Sequence, residues 1–144
     1  MYKHILIPTD GFPLSAKAIE QGVALAKSLG AKVTGVTVSI PFHTFALDPV
    51  MVSDTRDQYK KDCDDRAEKF LGAIRLAAQA AGVPCEVVHV TAEPYEGIID
   101  TAISKGCDLI FMASHGRKGV SALVLGSETQ KVLTHSKVPV LVCR

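Results

Sequence analysis

Leu109-Ile110-Phe111-Met112-Ala113-Ser114-His115-Gly116-Arg117-Lys118-Gly119, followed after six residues by Gly126-Ser127, is the stretch on which the reading of this chain turns. Its apolar opening, Leu109 to Ala113, reads as a buried strand, and Gly126-Ser127 opens a segment with helical spacing. The two ends bracket a strand-to-helix connection, with small residues at each end. Small residues let a backbone come close to a ligand, and a helix start offers unpaired N–H groups that favour an anion. The expectation is a phosphate cradle, for a nucleotide. A plain surface loop with an ordinary helix cap accounts for the same residues, and the residues alone leave both readings open.

Outward from that stretch, the chain alternates. Ile5-Leu6-Ile7 is a short apolar run stopped by Pro8-Thr9-Asp10-Gly11, a central strand and then a turn. Pro13 suits the first turn of a helix, Leu14, Ala18, Gly22, Leu25 and Leu29 form its stripe, and Gly30 stops it. Lys32 to Val38 is a second strand, with Gly35 marking close packing against a helix layer. Ser39 to Ser53 is apolar but broken by prolines, and reads as a lid, a partner surface or a flap folded on the body, the last favoured because exposed apolar patches are uncommon on monomers. Asp54 to Ala81 is a long helix ended by Gly82 and Pro84, and Cys85 to Val90 a third strand. Pro94 opens another helix, with Gly106 after it. Leu109 to Ala113 is the fourth strand, Ser127 to His135 the last helix and Val138 to Cys143 the fifth strand. Strand and helix in strict alternation mean an α/β fold, a single doubly wound domain over residues 1–144, with a five-stranded parallel sheet and helices on both faces.

Bulk properties exclude several classes. A length of 144 residues fits one domain with a real core, and no apolar run approaches the ~18 residues of a membrane span. A net charge of +1 and no basic run give no long-range pull on nucleic acid. The opening Met1 to Pro8 is too short an apolar run for a signal peptide, so a cytoplasmic protein is expected. Cys63, Cys85, Cys107 and Cys143 are spread without zinc spacing, and no disulfide framework is expected.

The chemistry centres on few residues. Asp10 is read as the first polar group to face the top of the first strand, at the edge where open α/β sheets bind ligands; it either orders the turn or bonds a ligand. Ser127-Glu128-Thr129-Gln130 reads as a capping box, with Glu128 placing a carboxylate where it repels phosphate unless turned away. Gly116-Arg117-Lys118-Gly119 fails as a Walker loop, because Lys118 precedes a glycine and more loop. Arg117 and Lys118 either neutralise phosphate or are simply solvated. His115 has no neighbouring nucleophile whose spacing forces a pair, and reads as a turn histidine. His4 and His89 read as core or edge residues.

With these residues in hand, the chain resembles a universal stress protein of the nucleotide-binding type, over essentially its full length. That family's motif is G-x(2)-G-x(9)-G-[ST]. Gly116, the nine residues from Arg117 to Leu125, and Gly126-Ser127 match its second half. The opening Ile5-Leu6-Ile7-Pro8-Thr9-Asp10-Gly11 and the closing Val138 to Arg144 are also similar to the family's ends. The resemblance implies the strand order 3-2-1-4-5 and an ATP site at the sheet's carboxyl edge, with AMP or ADP as alternatives and Mg2+ accompanying ATP. It places Asp10 and the Val38 backbone on the adenine and ribose side, lined by Pro8 and Met112. Ala113, His115, Gly116, Gly126 and Ser127 then surround the phosphates, with Arg117 and Lys118 nearby. Ala113 departs from the pattern, standing where the first glycine falls; its methyl is tolerated at negative φ and costly otherwise. The implied strand order leaves the fifth strand at an edge, and its apolar residues 138–143 predict a homodimer through it.

Four functions compete at this point. The first is a nucleotide-binding regulatory module with no catalytic group, and the second a slow ATPase or phosphotransferase using His115 or Ser127. The third is a dimeric stress protein whose site is silenced by Ala113 and Glu128. A phosphoreceiver domain is the weakest, since only Asp10 follows the first strand and Thr91-Ala92-Glu93 follows the third.

Overall fold

The computed structural model describes residues 1–42, 52–115 and 124–144. The elements run β1 (His4–Pro8), α1 (Pro13–Leu29), β2 (Lys32–Ser39), α2 (Val52–Ala81), β3 (Cys85–Thr91), α3 (Pro94–Lys105), β4 (Leu109–Ala113), α4 (Ser127–His135) and β5 (Val140–Cys143). The five strands form one sheet of order β3-β2-β1-β4-β5, every neighbouring pair parallel. Ile5 lies opposite both Val33 and Leu109, so β1 is the centre of the sheet. Ile5, Leu6 and Ile7 have no exposed surface, which is why β1 reads as an unbroken apolar run.

Because side chains alternate across a strand, the sheet has two separate cores. Ile5, Ile7, Val33, Leu109 and Phe111 pack beneath α1 and α2. Leu6, Val36, Ile110 and Met112 pack beneath α3 and α4, with Ile98 and Val132 reaching down from the helices. Gly35 belongs to the first face. A Cβ there would lie 2.7 Å from Ile74 Cδ1, so α2 sits directly on the strand. The helices α1 and α3 each begin with proline and end at a left-handed glycine, Gly30 and Gly106.

Several boundaries move. Pro8 ends β1 instead of starting the turn, and Ser39 closes β2 instead of opening the next segment. The long helix begins at Val52, two residues before the expected Asp54. The fifth strand begins at Val140 and not Val138. Ser136 Oγ donates to the Val138 carbonyl and accepts from the Val138 N–H, and Pro139 has no N–H, so these residues form a turn. Of the segment 39–53, residues 43–51 lie outside the described residues, and the reading of it as a flap falls largely there.

Two polar features sit far from the carboxyl edge. His4 is buried and its Nε2 lies 2.7 Å from Thr34 Oγ1; burial, with Lys32 nearby, holds its pKa below the usual histidine value. Burial pushes the Cys107 thiol up to about 11, so it behaves as a small core residue. All four cysteines are free thiols.

Candidate functional site

β1 is the point where the strand order reverses. From it the chain turns to β2 on one side through α1, while β4 and β5 lie on the other side. The helices that follow β1 and β4 therefore lie on opposite faces, α1 on one and α4 on the other. Beside such a reversal, at the carboxyl ends of the strands, is the usual ligand edge of open α/β sheets.

The loop after β1 is held by its own polar groups. Thr9 N–H donates to the Val36 carbonyl at 2.9 Å, and Thr37 Oγ1 donates to the Thr9 carbonyl at 2.8 Å. Asp10 Oδ1 accepts from the Phe12 N–H at 3.0 Å and from Ser15 Oγ at 2.7 Å. So one oxygen of Asp10 orders the turn into α1, and among the described residues Oδ2 is left to face solvent or a ligand. Gly11 has φ +80°, and a Cβ there would lie 2.1 Å from the Phe70 ring, so only glycine fits beneath α2.

Strand parity sorts the remaining candidates. Leu6, Val36 and Ile110 face α3 and α4; two residues on from Leu6 and Val36 stand Pro8 and Val38, and two on from Ile110 stands Met112. All three therefore lie on the face from which α4 starts. Val38 packs beside Gly97 of α3, and Met112 is 6% exposed within that core. The Val36 carbonyl points toward β1, so the backbone groups of Val38 point the same way, past the residue where β1 stops. Ala113 differs. It packs in the opposite core with Phe111 and Cys143, so its methyl points away from α4. No non-glycine among the described residues has positive φ, so the methyl carries no backbone strain.

The tip of β4 and the start of α4 touch. Gly126 N–H donates to the Ser114 carbonyl at 2.8 Å, and Thr129 Oγ1 donates to the Ala113 carbonyl at 3.0 Å. A Cβ on Gly126 would lie 3.0 Å from His115 Cα, so the glycine serves this close approach; its φ of −61° is ordinary. The expected capping box is absent. Gly126 is the cap residue, no side chain caps the helix, and Gln130 Nε2 bonds the Leu125 carbonyl instead. The reason is that Gly126 supplies the carbonyl for the Gln130 N–H, which moves Ser127 to the first helical position.

This correction strengthens the anion reading. The N–H groups of Ser127, Glu128 and Thr129 have no acceptor among the described residues, nor does the exposed Ser127 hydroxyl have a partner. Glu128 turns away: its Oε2 accepts the Tyr95 N–H at 3.1 Å and its Oε1 meets Lys131 Nζ at 3.1 Å. The carboxylate thus serves the first turn of α3, whose own cap residue Glu93 makes no side-chain bond. Of the two helix starts on this face, one is filled by Glu128, and the other has no side chain on it among the described residues. Tyr95 donates its hydroxyl to Glu96, and that bond raises its pKa above the ordinary value.

His115 Nδ1 lies 3.1 Å from Ser114 Oγ, its sequence neighbour, and next to Gly126. No third group orients the pair among the described residues. Gly116, Arg117 and Lys118 lie outside the described residues. His89, read from the sequence as a core or edge residue, has polar partners that the sequence reading missed. His89 is half-buried, with Ser39 Oγ 2.7 Å from Nε2 and Asp64 Oδ1 3.5 Å from Nδ1. Nothing in the spacing of residues 39, 64 and 89 signals this meeting, which depends on β2, β3 and α2 packing together.

The comparisons with known proteins agree with this architecture. The model of the universal stress protein family matches residues 1–144. A universal stress protein of Thermus aquaticus is 33% identical over 146 residues, covering 100% of both chains. The solved structure of MJ0577, a universal stress protein of Methanocaldococcus jannaschii, has a TM-score of 0.84 at 27% identity over 99% of this chain and 95% of that one. Two further structures share the fold at a TM-score of 0.68. One is a universal stress protein in complex with cAMP, 22% identical over 99% of this chain and 97% of that one. The other is from Archaeoglobus fulgidus in complex with dAMP, 16% identical over 99% of this chain and 98% of that one.

Proposed function

The chain belongs to the universal stress protein family, and on that footing we propose that it binds an adenine nucleotide between the tip of β4 and the start of α4, as a regulatory module in stress response. One observation carries the reading: among the described residues, the N–H groups of Ser127, Glu128 and Thr129 and the Ser127 hydroxyl at the start of α4 have no partner, and the nearby carboxylate of Glu128 is engaged elsewhere. Such a helix start holds phosphate without a dedicated cation. On this reading Asp10 Oδ2 accepts from a ribose hydroxyl and the Val38 backbone bonds an adenine edge past the end of β1; the use of Asp10 Oδ1 within the turn and the direction of the Val36 carbonyl support it. Pro8 and Met112 line the same face. Structural relatives in complex with cAMP and dAMP support the adenylate part of this reading. ATP is the ligand assigned, with ADP and AMP as competitors, and Arg117 and Lys118 assist a longer phosphate chain. The single domain spans residues 1–144 and pairs with a second copy through β5.

Mass spectrometry of the natively purified protein tests this directly, followed by calorimetric titration with ATP, ADP and AMP, with and without Mg2+. The expected result is a stoichiometric adenine nucleotide, with affinity falling about tenfold in Ser127→Ala, the loss of one hydrogen bond to a charged group. No binding of any of the three at millimolar concentration defeats the proposal.

A further inference from the structure

A second constellation lies on the opposite face of the sheet from α4. Ser39 ends β2 and His89 stands near the end of β3, where Thr37 is paired with His89 and Ser39 with Thr91. Val33 and Gly35, two-residue steps before Ser39, face α2, as do Cys85 and Val87 before His89. Both side chains therefore point to α2, which contributes Asp64. Ser39 Oγ lies 2.7 Å from His89 Nε2, and His89 Nδ1 lies 3.5 Å from Asp64 Oδ1. These three border a cavity of about 400 Å³ that also meets Phe42, Tyr59, Arg56 and Lys60.

We propose that Ser39, His89 and Asp64 form a serine-nucleophile relay that cleaves small carboxylic esters. The roles follow from the geometry. Asp64 faces Nδ1 and favours the tautomer with its proton there, so Nε2 is the acceptor and the Ser39 hydroxyl donates to it. That is the arrangement in which a histidine withdraws the serine proton. Separations in a ligand-free site run looser than in the reacting complex, and the 3.5 Å contact at Asp64 falls in that range. The site is also anchored. Tyr59 donates its hydroxyl to the Ile40 carbonyl, tying α2 to the residue after Ser39, and the Phe42 and Tyr59 rings stand 5.4 Å apart as an apolar wall for an acyl group. Arg56 and Lys60 bring positive charge to the cavity, the Arg56 guanidinium lying over the Phe42 ring at 5.6 Å from its centre.

In the reaction, Ser39 Oγ attacks the ester carbonyl carbon while its proton passes to His89 Nε2. The carbon–oxygen bond to the alcohol breaks and the alcohol leaves with that proton. Water then attacks the acyl-serine, giving a proton to Nε2. The acid departs, and Ser39 regains its hydroxyl. Asp64 is a positioning residue throughout.

A fluorophosphonate probe with intact-protein and peptide mass spectrometry tests the assignment, together with hydrolysis of 4-nitrophenyl acetate and butyrate. The full-length wild-type chain is expected to take one label, on Ser39. Ser39→Ala and His89→Ala should abolish labelling and lower kcat/KM by about 100-fold, the lower end for general-base loss. Circular dichroism and thermal unfolding check that both variants fold. Asp64→Asn should lower kcat and move the pH profile, and Asp64→Glu should restore part of the rate. A wild-type chain that takes no label, or ester hydrolysis unchanged in Ser39→Ala, overturns the proposal; an unchanged pH profile in Asp64→Asn overturns the part given to Asp64. Nucleotide titration of Ser39→Ala keeps the two sites distinguishable, because the phosphate end of the nucleotide site lies at the start of α4 on the other face and the Ser39 side chain has no part in it, so affinity should stay within about twofold of wild type.

Discussion

Ala113 shows how one residue's meaning depends on which way it points. As the substitute for a glycine in a phosphate motif, its methyl threatens the ligand. In the structure the methyl belongs to the core beneath α1, and only its carbonyl, held by Thr129, faces the start of α4. Ala113→Gly should therefore leave nucleotide affinity within about twofold and cost about 1 kcal/mol of stability, from a lost buried methyl and a freer backbone in β4. Calorimetric titration and urea unfolding of the variant read the two quantities separately. A large gain in affinity would show that the methyl does reach the ligand. Gly126 is the converse case: its place in the motif and its place in the fold coincide, because a Cβ there would press on His115 Cα at 3.0 Å.

At the scale of elements, the two helix starts on one face are joined through Glu128. It sits in the first turn of α4 but accepts from Tyr95 in the first turn of α3. Carboxylates at helix starts contribute about 0.3–1 kcal/mol, and this one serves its neighbour's dipole as well as its own. Glu128→Gln should lower stability by about that amount in urea unfolding, with nucleotide affinity unchanged or slightly raised. A sharp loss of affinity would mean that the carboxylate positions the ligand. The contrast between α3 and α4 is invisible in their sequences, since Pro94-Tyr95-Glu96 and Ser127-Glu128-Thr129 both carry an early acidic residue. What separates them is which helix start the Glu128 side chain reaches.

For the whole molecule, β5 is an edge of the sheet with β4 as its single neighbour in the strand order. The carbonyls of Pro139 and Cys143 accept from β4, so by parity Val140 and Val142 present their backbone groups outward. Val142→Pro removes one outward N–H and leaves the bonds to β4 in place. It should turn a micromolar dimer into a monomer of the same far-UV spectrum; sedimentation of both proteins decides, and a wild-type monomer removes the dimer from the account. Alternation of apolar runs with helical stripes was enough to determine the α/β class, the five strands and the helix stops at Gly30 and Gly106, because burial on both sheet faces and left-handed caps each leave a local mark. The motif also placed Gly126 and Ser127 at a helix start. Only the tertiary structure decided that Gly126 is the cap, that Ala113 turns its methyl to the far core, that Glu128 serves α3, and that Ser39, Asp64 and His89 meet. Each of those depends on contacts between elements distant in the chain or on which side of a strand a residue falls in the assembled sheet, and local spacing carries no record of either.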